Sequence, residues 1–311
     1  MKTKSAVLYF EDNKYQYFYL DNYDKNISKQ NIMGSDFSQS GSKLNFYDHL
    51  TEKYNYVFDD LNEKGAPKNI PINVALSIND SLLRIVDIPN MTKEEAKLSF
   101  RFEFEDYFPF SAEDAIFDLD EITFPSQQSD EKRFIVSASR KSIITNIIES
   151  ASNNGYTISC IEPAQISIER AMYPKDPKSD SVLLLFVGTY KSTLILSWKG
   201  NGVFYRTISI GKENFDFTTG ADAQEQIRSL AKEVRSSVLF AKSQMRWGSA
   251  SFIGYVTQFK NTDYTEYFVK MLNEQLGVSE FYAIDPIKLN GYKFSGEDNV
   301  ELNVLLGLTL R

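Results

Sequence analysis

Asp118, Asp120 and Glu121 are the carboxylates whose spacing could support paired acid and base work, one group giving a proton while another takes one. On a strand, Asp118 and Asp120 share a face, and a plain solvent face is the alternative. The chain holds one cysteine, Cys160, and one histidine, His49. A thiolate–imidazole nucleophile would need both. Cys160, however, follows the apolar-alternating 156–158 segment, as a small core residue does. His49 lies in a polar amphipathic stretch. A lone cysteine excludes an internal disulfide, and a Cys/His metal site needs more of both residues. No catalytic set and no metal set is assigned.

Residues 82–124 carry the other concentration of chemistry. They read as strand, helix, turn, strand. Thr92 stands three residues before Glu95, the capping-box spacing. Pro89 keeps the preceding chain extended, and Pro109 closes the helix. Ala96, Phe100, Phe104 and Phe108 recur at steps of four on one face. Phe102 lies off that row. Phe100, Phe102, Phe104, Tyr107, Phe108 and Phe110 therefore form a core stripe with a member left over, or they line a groove for an apolar peptide. Among them sit Arg101, Glu103, Glu105 and Asp106. Arg101 can pair with Glu105, four residues on, or with a partner's carboxylate.

The elements that position these residues follow from composition and pattern. The 311 residues allow two domains, and 42 % apolar residues with 23 Phe and 18 Tyr can fill their cores. The balance of 34 basic against 42 acidic residues gives a net charge of −8. That sign, with no Lys/Arg block, argues against nucleic-acid binding. The first apolar run stops at Glu11, too short for a signal core. The longest clean run, 182–188, is far below a membrane span. A cytoplasmic protein without direct membrane insertion is expected.

Residues 5–20 read as a hairpin of strands. Residues 21–43 are polar, as short strands or a loose excursion. Leu44, Tyr47, Leu50, Tyr54, Val57 and Leu61 give helical spacing over 44–64. Strands are expected at 72–78, 133–139 and 156–161, with helices from Ser142 and over 166–172. The 174–180 segment, PKDPKSD, reads as a linker. The pattern then restarts with strands at 182–187, 193–198 and 203–209. A long helix with an inner stripe from Ile227 to Met245 follows, then a strand, a helix ended by Gly277, a strand and a last apolar helix. Two related α/β lobes are implied. In duplicated folds of this kind each opening hairpin can cradle phosphate in the cleft between lobes.

With both halves laid out, the sequence resembles the PilM family of type IV pilus assembly proteins. The likeness is strongest in LRIVDIPNMTKEEAKLSFRFEFEDYFPF, with its P-x-M turn and Y-x-P-F ending. It continues through SASRKSIITNIIESASNNGYTISCIEPAQISIERAM, WKGNGVFYRTISIG, residues 232–237 and the final VLLGLTLR. The resemblance implies a two-lobed actin-like (ribonuclease H-like) α/β fold with inserted subdomains. Residues 1–174 would form the first lobe, with an insert at about 70–150, and residues 181–311 the second. It implies a non-catalytic cytoplasmic scaffold, peripheral to the inner membrane. Its partner would be the short N-terminal tail of a PilN-like membrane protein, bound in a groove of the first lobe, and it would couple to assembly motor components. The related L-type component of type II secretion is an alternative.

In the family each opening hairpin carries Asp-x-Gly and small hydroxylated residues. Glycine lets backbone N–H groups approach phosphate, and the aspartate positions Mg²⁺ through water. Here Tyr9 stands in the aspartate's place and Glu11 in the glycine's, with Asp12 beside it. In the second hairpin Phe186 replaces the aspartate, Gly188 survives, and Thr189, Lys191 and Ser192 follow. The adenosine-side glycine pair is reduced to Gly254-Tyr255. A lapsed nucleotide site with no cofactor is expected. A remnant ATP/Mg site on Gly188, Thr189, Lys191 and Gly254, gating or hydrolysing ATP, is the alternative.

Overall fold

A computed structural model of the 311-residue chain describes residues 4–11, 14–21, 25–28, 32–36, 50–122, 130–218, 221–244, 252–276, 279–294 and 302–311. Asp12, Leu44, Tyr47, His49, Met245 and Gly277 lie outside the described residues.

The first half opens with β1 (Lys4–Phe10) and β2 (Lys14–Asp21), paired from Lys4 opposite Asp21 to Phe10 opposite Tyr15. The polar excursion holds β3 (Asn26–Ile27) and β4 (Ile32–Asp36). Then come α1 (Leu50–Glu63), β5 (Ile72–Leu76), β6 (Ser81–Pro89), α2 (Lys93–Tyr107), β7 (Ala115–Glu121) and β8 (Glu131–Arg140). The half closes with α3 (Lys141–Asn153), β9 (Ile158–Pro163) and α4 (Ala164–Met172). The second half starts with β10 (Ser181–Val187), β11 (Ser192–Trp198) and β12 (Asn201–Ile208). It continues with α5 (Ala221–Gln244), β13 (Phe252–Thr257), α6 (Thr262–Leu276) and β14 (Ser279–Ile284). It ends with α7 (Pro286–Leu289), β15 (Lys293–Phe294) and α8 (Leu302–Thr309).

The duplication is visible in sheet order. The first lobe's sheet runs β4-β2-β1-β5-β9 and the second's β12-β11-β10-β13-β14. In both sheets the three earliest member strands pair antiparallel, the fourth joins the first in parallel, and the fifth joins the fourth in parallel. Every residue of β10 is buried, which is why SVLLLFV reads as an unbroken apolar run rather than an alternating one.

Each sheet has an outer core of its own, around Leu8, Tyr54 and Phe58 in one lobe and Leu185, Val234 and Phe268 in the other. A third core lies between the sheets and joins Val7, Phe18 and Ala75 to Ile168, Leu184 and Leu305. Its middle layer is α4 and α8. Helix α4 follows the first sheet yet also packs on β10, β11 and β12, and α8, at the end of the chain, lies on β1 and β5. Arg170 of α4 donates to the Gly307 carbonyl of α8 at 2.8 Å and to the Glu162 carboxylate at 2.9 Å. Arg311 reaches the same carboxylate at 3.1 Å. The lobes are thus held by a shared apolar layer and a buried carboxylate with cationic donors.

The insert is a three-stranded sheet, β6-β8-β7, spanning Ser81 to Arg140. It is narrower than the expected 70–150, because β5 pairs into the main sheet and α3 packs on α1. Among the described residues the other sheet outside the two lobe sheets is the two-stranded β15-β3 ladder, which pairs Lys293 with Asn26 across the halves. Val86 lies opposite Phe134, and Ile85 opposite Ile135. Strand alternation sends the first pair to α2 and the second pair against the second lobe's core, which Ile122 also joins.

Candidate functional site

A cavity of about 370 Å³ lies between the lobes, with both opening hairpins in its walls. Tyr9, Glu11, Phe186, Gly188, Thr189 and Lys191 all line it, so the structure brings together six residues that the sequence places in the lapsed nucleotide pocket. Their geometry explains what each does. The Glu11 amide donates to the Lys14 carbonyl at 2.9 Å, and its carboxylate lies 3.1 Å from Lys14 Nζ. That ion pair occupies the turn where glycine would let backbone approach a phosphate. In the second turn the Gly188 amide donates to the Lys191 carbonyl at 3.0 Å, and the Gly188 and Thr189 carbonyls accept from Lys212 and Glu213. A Cβ on residue 188 would fall 2.6 Å from the Lys191 carbonyl oxygen, so the turn itself requires the glycine. Phe186 is buried in the interlobe core and Tyr9 packs against it. These are the two rings at the positions where the family resemblance implies metal-positioning carboxylates.

Gly254 is not with them. It sits in the middle of β13, between Leu183 and Phe281, and does not line the cavity. A Cβ there would meet the Phe281 ring at 2.6 Å. Packing of β13 on its neighbour accounts for this glycine, which corrects its placement in the pocket.

Helix α2 forms as its caps and spacing predict. The Thr92 amide donates to the Glu95 carboxylate at 2.9 Å, and the Glu95 amide donates to the Thr92 hydroxyl at 3.3 Å. The Thr92 amide, and the Thr92 hydroxyl donating to the same carboxylate at 2.8 Å, hold the Glu95 carboxyl below its usual range. Phe104 and Phe108 are buried and stack at 4.7 Å, with Phe100 edge-on to both. Tyr107 and Phe110 are half-buried against this cluster. Phe104 and Phe108 are thus core, covered by the sheet of the insert, and Tyr107 and Phe110 pack on the edge of that core. Arg101 and Phe102 are exposed, Phe102 to 93 %. Leu98, exposed to 65 %, joins Phe102 one turn away. Sequence reasoning passed over Leu98, although its four-residue offset from Phe102 was there to be read.

The carboxylate group also resolves. Asp118 lies 2.9 Å from Lys97 and Asp120 lies 3.1 Å from Lys93. Four helix residues rise roughly 6 Å and two strand residues roughly 6.6 Å, so the pairs match rung for rung as α2 runs antiparallel to β7. These are surface ion pairs with no proton partner between them. Cys160 is half-buried rather than core; its thiol donates to Asn73 Oδ1 at 3.4 Å, and burial pushes its pKa up.

A second cavity, of about 660 Å³, opens where the insert meets α4 and the β11–β12 turn. Ile122 and Ile135 line it from the insert, Ile166 from α4, Tyr173 from the cap just after it, and Tyr205 from β12. In its wall Glu169 accepts from Ser197 Oγ at 2.8 Å and from the Tyr205 hydroxyl at 2.5 Å. Burial raises the Glu169 carboxyl to about 7, against the opposing pull of those donors and of Arg170. In the sequence Glu169 stands between Ile168 and Arg170, and no spacing singled it out.

No family model matches the chain, and no curated protein does. Solved structures do match in fold. A "PilM-PilN type IV pilus biogenesis complex" chain aligns over 100 % of this chain and 98 % of its own, at 16 % identity and a TM-score of 0.69. A Bacteroides thetaiotaomicron protein with an actin-like ATPase fold and unknown function aligns over 98 % and 96 %, at 12 % identity and a TM-score of 0.53. The cytoplasmic domain of EpsL, an inner-membrane component of the Vibrio cholerae type II secretion system, gives 10 % identity and a TM-score of 0.48, too low to argue from. The molecule has the two-lobed, actin-like fold. At the level of fold it is similar to the PilM structure from end to end, as the sequence motifs imply.

Proposed function

We propose that the chain is a non-catalytic scaffold of a type IV pilus-like machine, holding the short cytoplasmic tail of a PilN-like inner-membrane protein. The observation that carries the reading is the end-to-end fold similarity to a PilM–PilN complex, in a chain whose phosphate hairpins hold Tyr9, Glu11 and Phe186. The tail lies in the cavity between the insert and α4, where Ile122, Ile135 and Ile166 give apolar contacts and Asp120 and Glu121 give charge. Occupancy there sets the angle between insert and lobes, which assembly motors read. In this reading attachment to the inner membrane runs through the partner; no helix among the described residues is long and apolar enough to cross a membrane.

Calorimetry on the full chain tests this. The N-terminal peptide of a PilN-like protein encoded beside it should bind, and Ile166→Arg should abolish binding while the fold is kept. Mg-ATP at millimolar concentration should give no heat. Mg-ATP binding that shifts peptide affinity would instead establish an ATP-gated switch with a divergent site. Peptide binding indifferent to Ile166→Arg would move the tail elsewhere.

A further inference from the structure

Helix α2 has two apolar sides. Successive residues turn by about 100°, so a residue two places on lies roughly opposite. Leu98 and Phe102 follow Ala96 and Phe100 by two. The buried row and the exposed pair therefore sit on opposite sides of one helix. Phe100 is 1 % exposed and Phe102 is 93 % exposed. Phe102 does nothing for the core, yet an exposed phenyl ring one turn from an exposed leucine is a costly surface to leave in water.

The frame around the pair is acidic. Glu94 and Glu105 flank it on one side, Glu95 and Asp106 on the other, and all four are exposed. Arg101 is the one cation on this side. The helix's two lysines are turned to the β7 side, where Lys93 meets Asp120 and Lys97 meets Asp118. Ion pairing along the flank thus draws positive charge away from the ridge.

We propose that the Leu98–Phe102 ridge of α2 is a docking surface for a basic amphipathic helix of a partner protein, distinct from the tail cavity. Its apolar residues, one turn apart, would cover Leu98 and Phe102, and its Lys or Arg flanks would meet Glu94, Glu105 and Asp106. Charge decides between occupants. An anionic lipid surface is repelled by this rim and by a net charge of −8. A second copy would set one acidic rim against another.

The test uses the full chain and a labelled synthetic helical peptide with leucines one turn apart and lysine flanks, read by fluorescence anisotropy. Controls are the same peptide with glutamate flanks, phosphatidylglycerol vesicles and a sedimentation series of the protein alone. The lysine peptide should bind, with affinity falling as salt rises. The doubly substituted Leu98→Ser/Phe102→Ser chain should lose about tenfold or more in affinity, and Glu94→Gln/Glu105→Gln several-fold. All substituted positions are exposed, so melting curves should match the parent, and binding of the PilN-like tail should not change. Equal binding of the glutamate peptide, binding indifferent to Leu98→Ser/Phe102→Ser, vesicle binding, or self-association lost in Phe102→Ser would each overturn the proposal. Loss of tail binding in Ile166→Arg with ridge binding kept separates the two surfaces.

Discussion

The interlobe cleft and the insert are built from the same materials, aromatic rings beside carboxylates, and use them in opposite senses. In the cleft, Phe186 points into the shared core with Tyr9 packed against it, and Glu11 is closed off by Lys14. In the insert, Phe102 and Leu98 point into solvent and their acidic neighbours stay on the surface. The cleft keeps a cavity of about 370 Å³ walled by these rings and this ion pair, while a helix that needs only one apolar face carries two. The contrast teaches that residue type alone locates neither a site nor a core; the side of the element does.

The sharpest way to break this contrast is to truncate rings on the two sides of α2. Phe104 has no exposure and contacts Phe100, Phe108 and Phe117, so Phe104→Ala should cost about 3–5 kcal/mol in denaturant unfolding. Phe102→Ala should stay within about 0.5 kcal/mol. Comparable losses at both positions would mean that Phe102 is packed and the two-sided description of the helix is wrong.

A second, smaller effect lies beside the other cavity. The Glu169 carboxyl is raised to about 7 from an ordinary 4.5. The folded state binds this proton more tightly than the unfolded state does. Stability should therefore fall as pH rises from about 4.5 to 7, by about 3 kcal/mol in all, and stay low above that. Glu169→Gln keeps an acceptor for Ser197 and Tyr205 and removes the slope. A parent chain whose stability is flat over that window would show that the buried carboxyl is satisfied as an anion.

The cleft gives a smaller effect still. Glu11→Gly removes the Glu11–Lys14 pair, a partly exposed contact worth no more than about 1 kcal/mol. It restores the glycine of one hairpin but not the missing aspartates, so Mg-ATP calorimetry should remain silent. Heat of nucleotide binding in this variant would reduce the difference between cleft and family pattern to a single residue.

Much of this was legible in the chain because it is local. The Thr92–Glu95 cap, the Ala96–Phe100–Phe104 row and both opening hairpins follow from spacing over a few residues, and each is found where spacing puts it. The doubled sheet order was legible only as a restart after the 174–180 linker, since which strands pair depends on contacts remote in sequence. The site was less legible. Gly254 reads as a ligand-side glycine, but its role is set by Phe281 on the next strand. Glu169 draws its character from Ser197 and Tyr205, both in the other lobe. A groove lined by Phe104 and Phe108 fails for the same reason, because the strands of the insert claim that face.

The smallest expected effect concerns the flank between the two sides of α2. Lys93–Asp120 and Lys97–Asp118 form two rungs, with the lysine side chains nearly half exposed and the aspartates more so. Burial works against the Asp118 carboxylate, but the hydrogen bond and charge of Lys97 outweigh it and hold the pKa below its ordinary 3.8. The contribution is thus present above that value and lost as pH falls through the lowered one. Solvent screens such pairs, so a Lys97→Ala/Asp118→Ala double-mutant cycle should give a coupling under about 0.5 kcal/mol that fades in high salt. Its consequence should be directional rather than energetic. Freed of Asp118, Lys97 can swing toward the ridge and weaken its acidic field. Asp118→Ala should therefore lower affinity for a lysine-flanked peptide slightly, with stability hardly changed. A coupling well above 1 kcal/mol would instead make the ladder a structural clamp of α2 on β7.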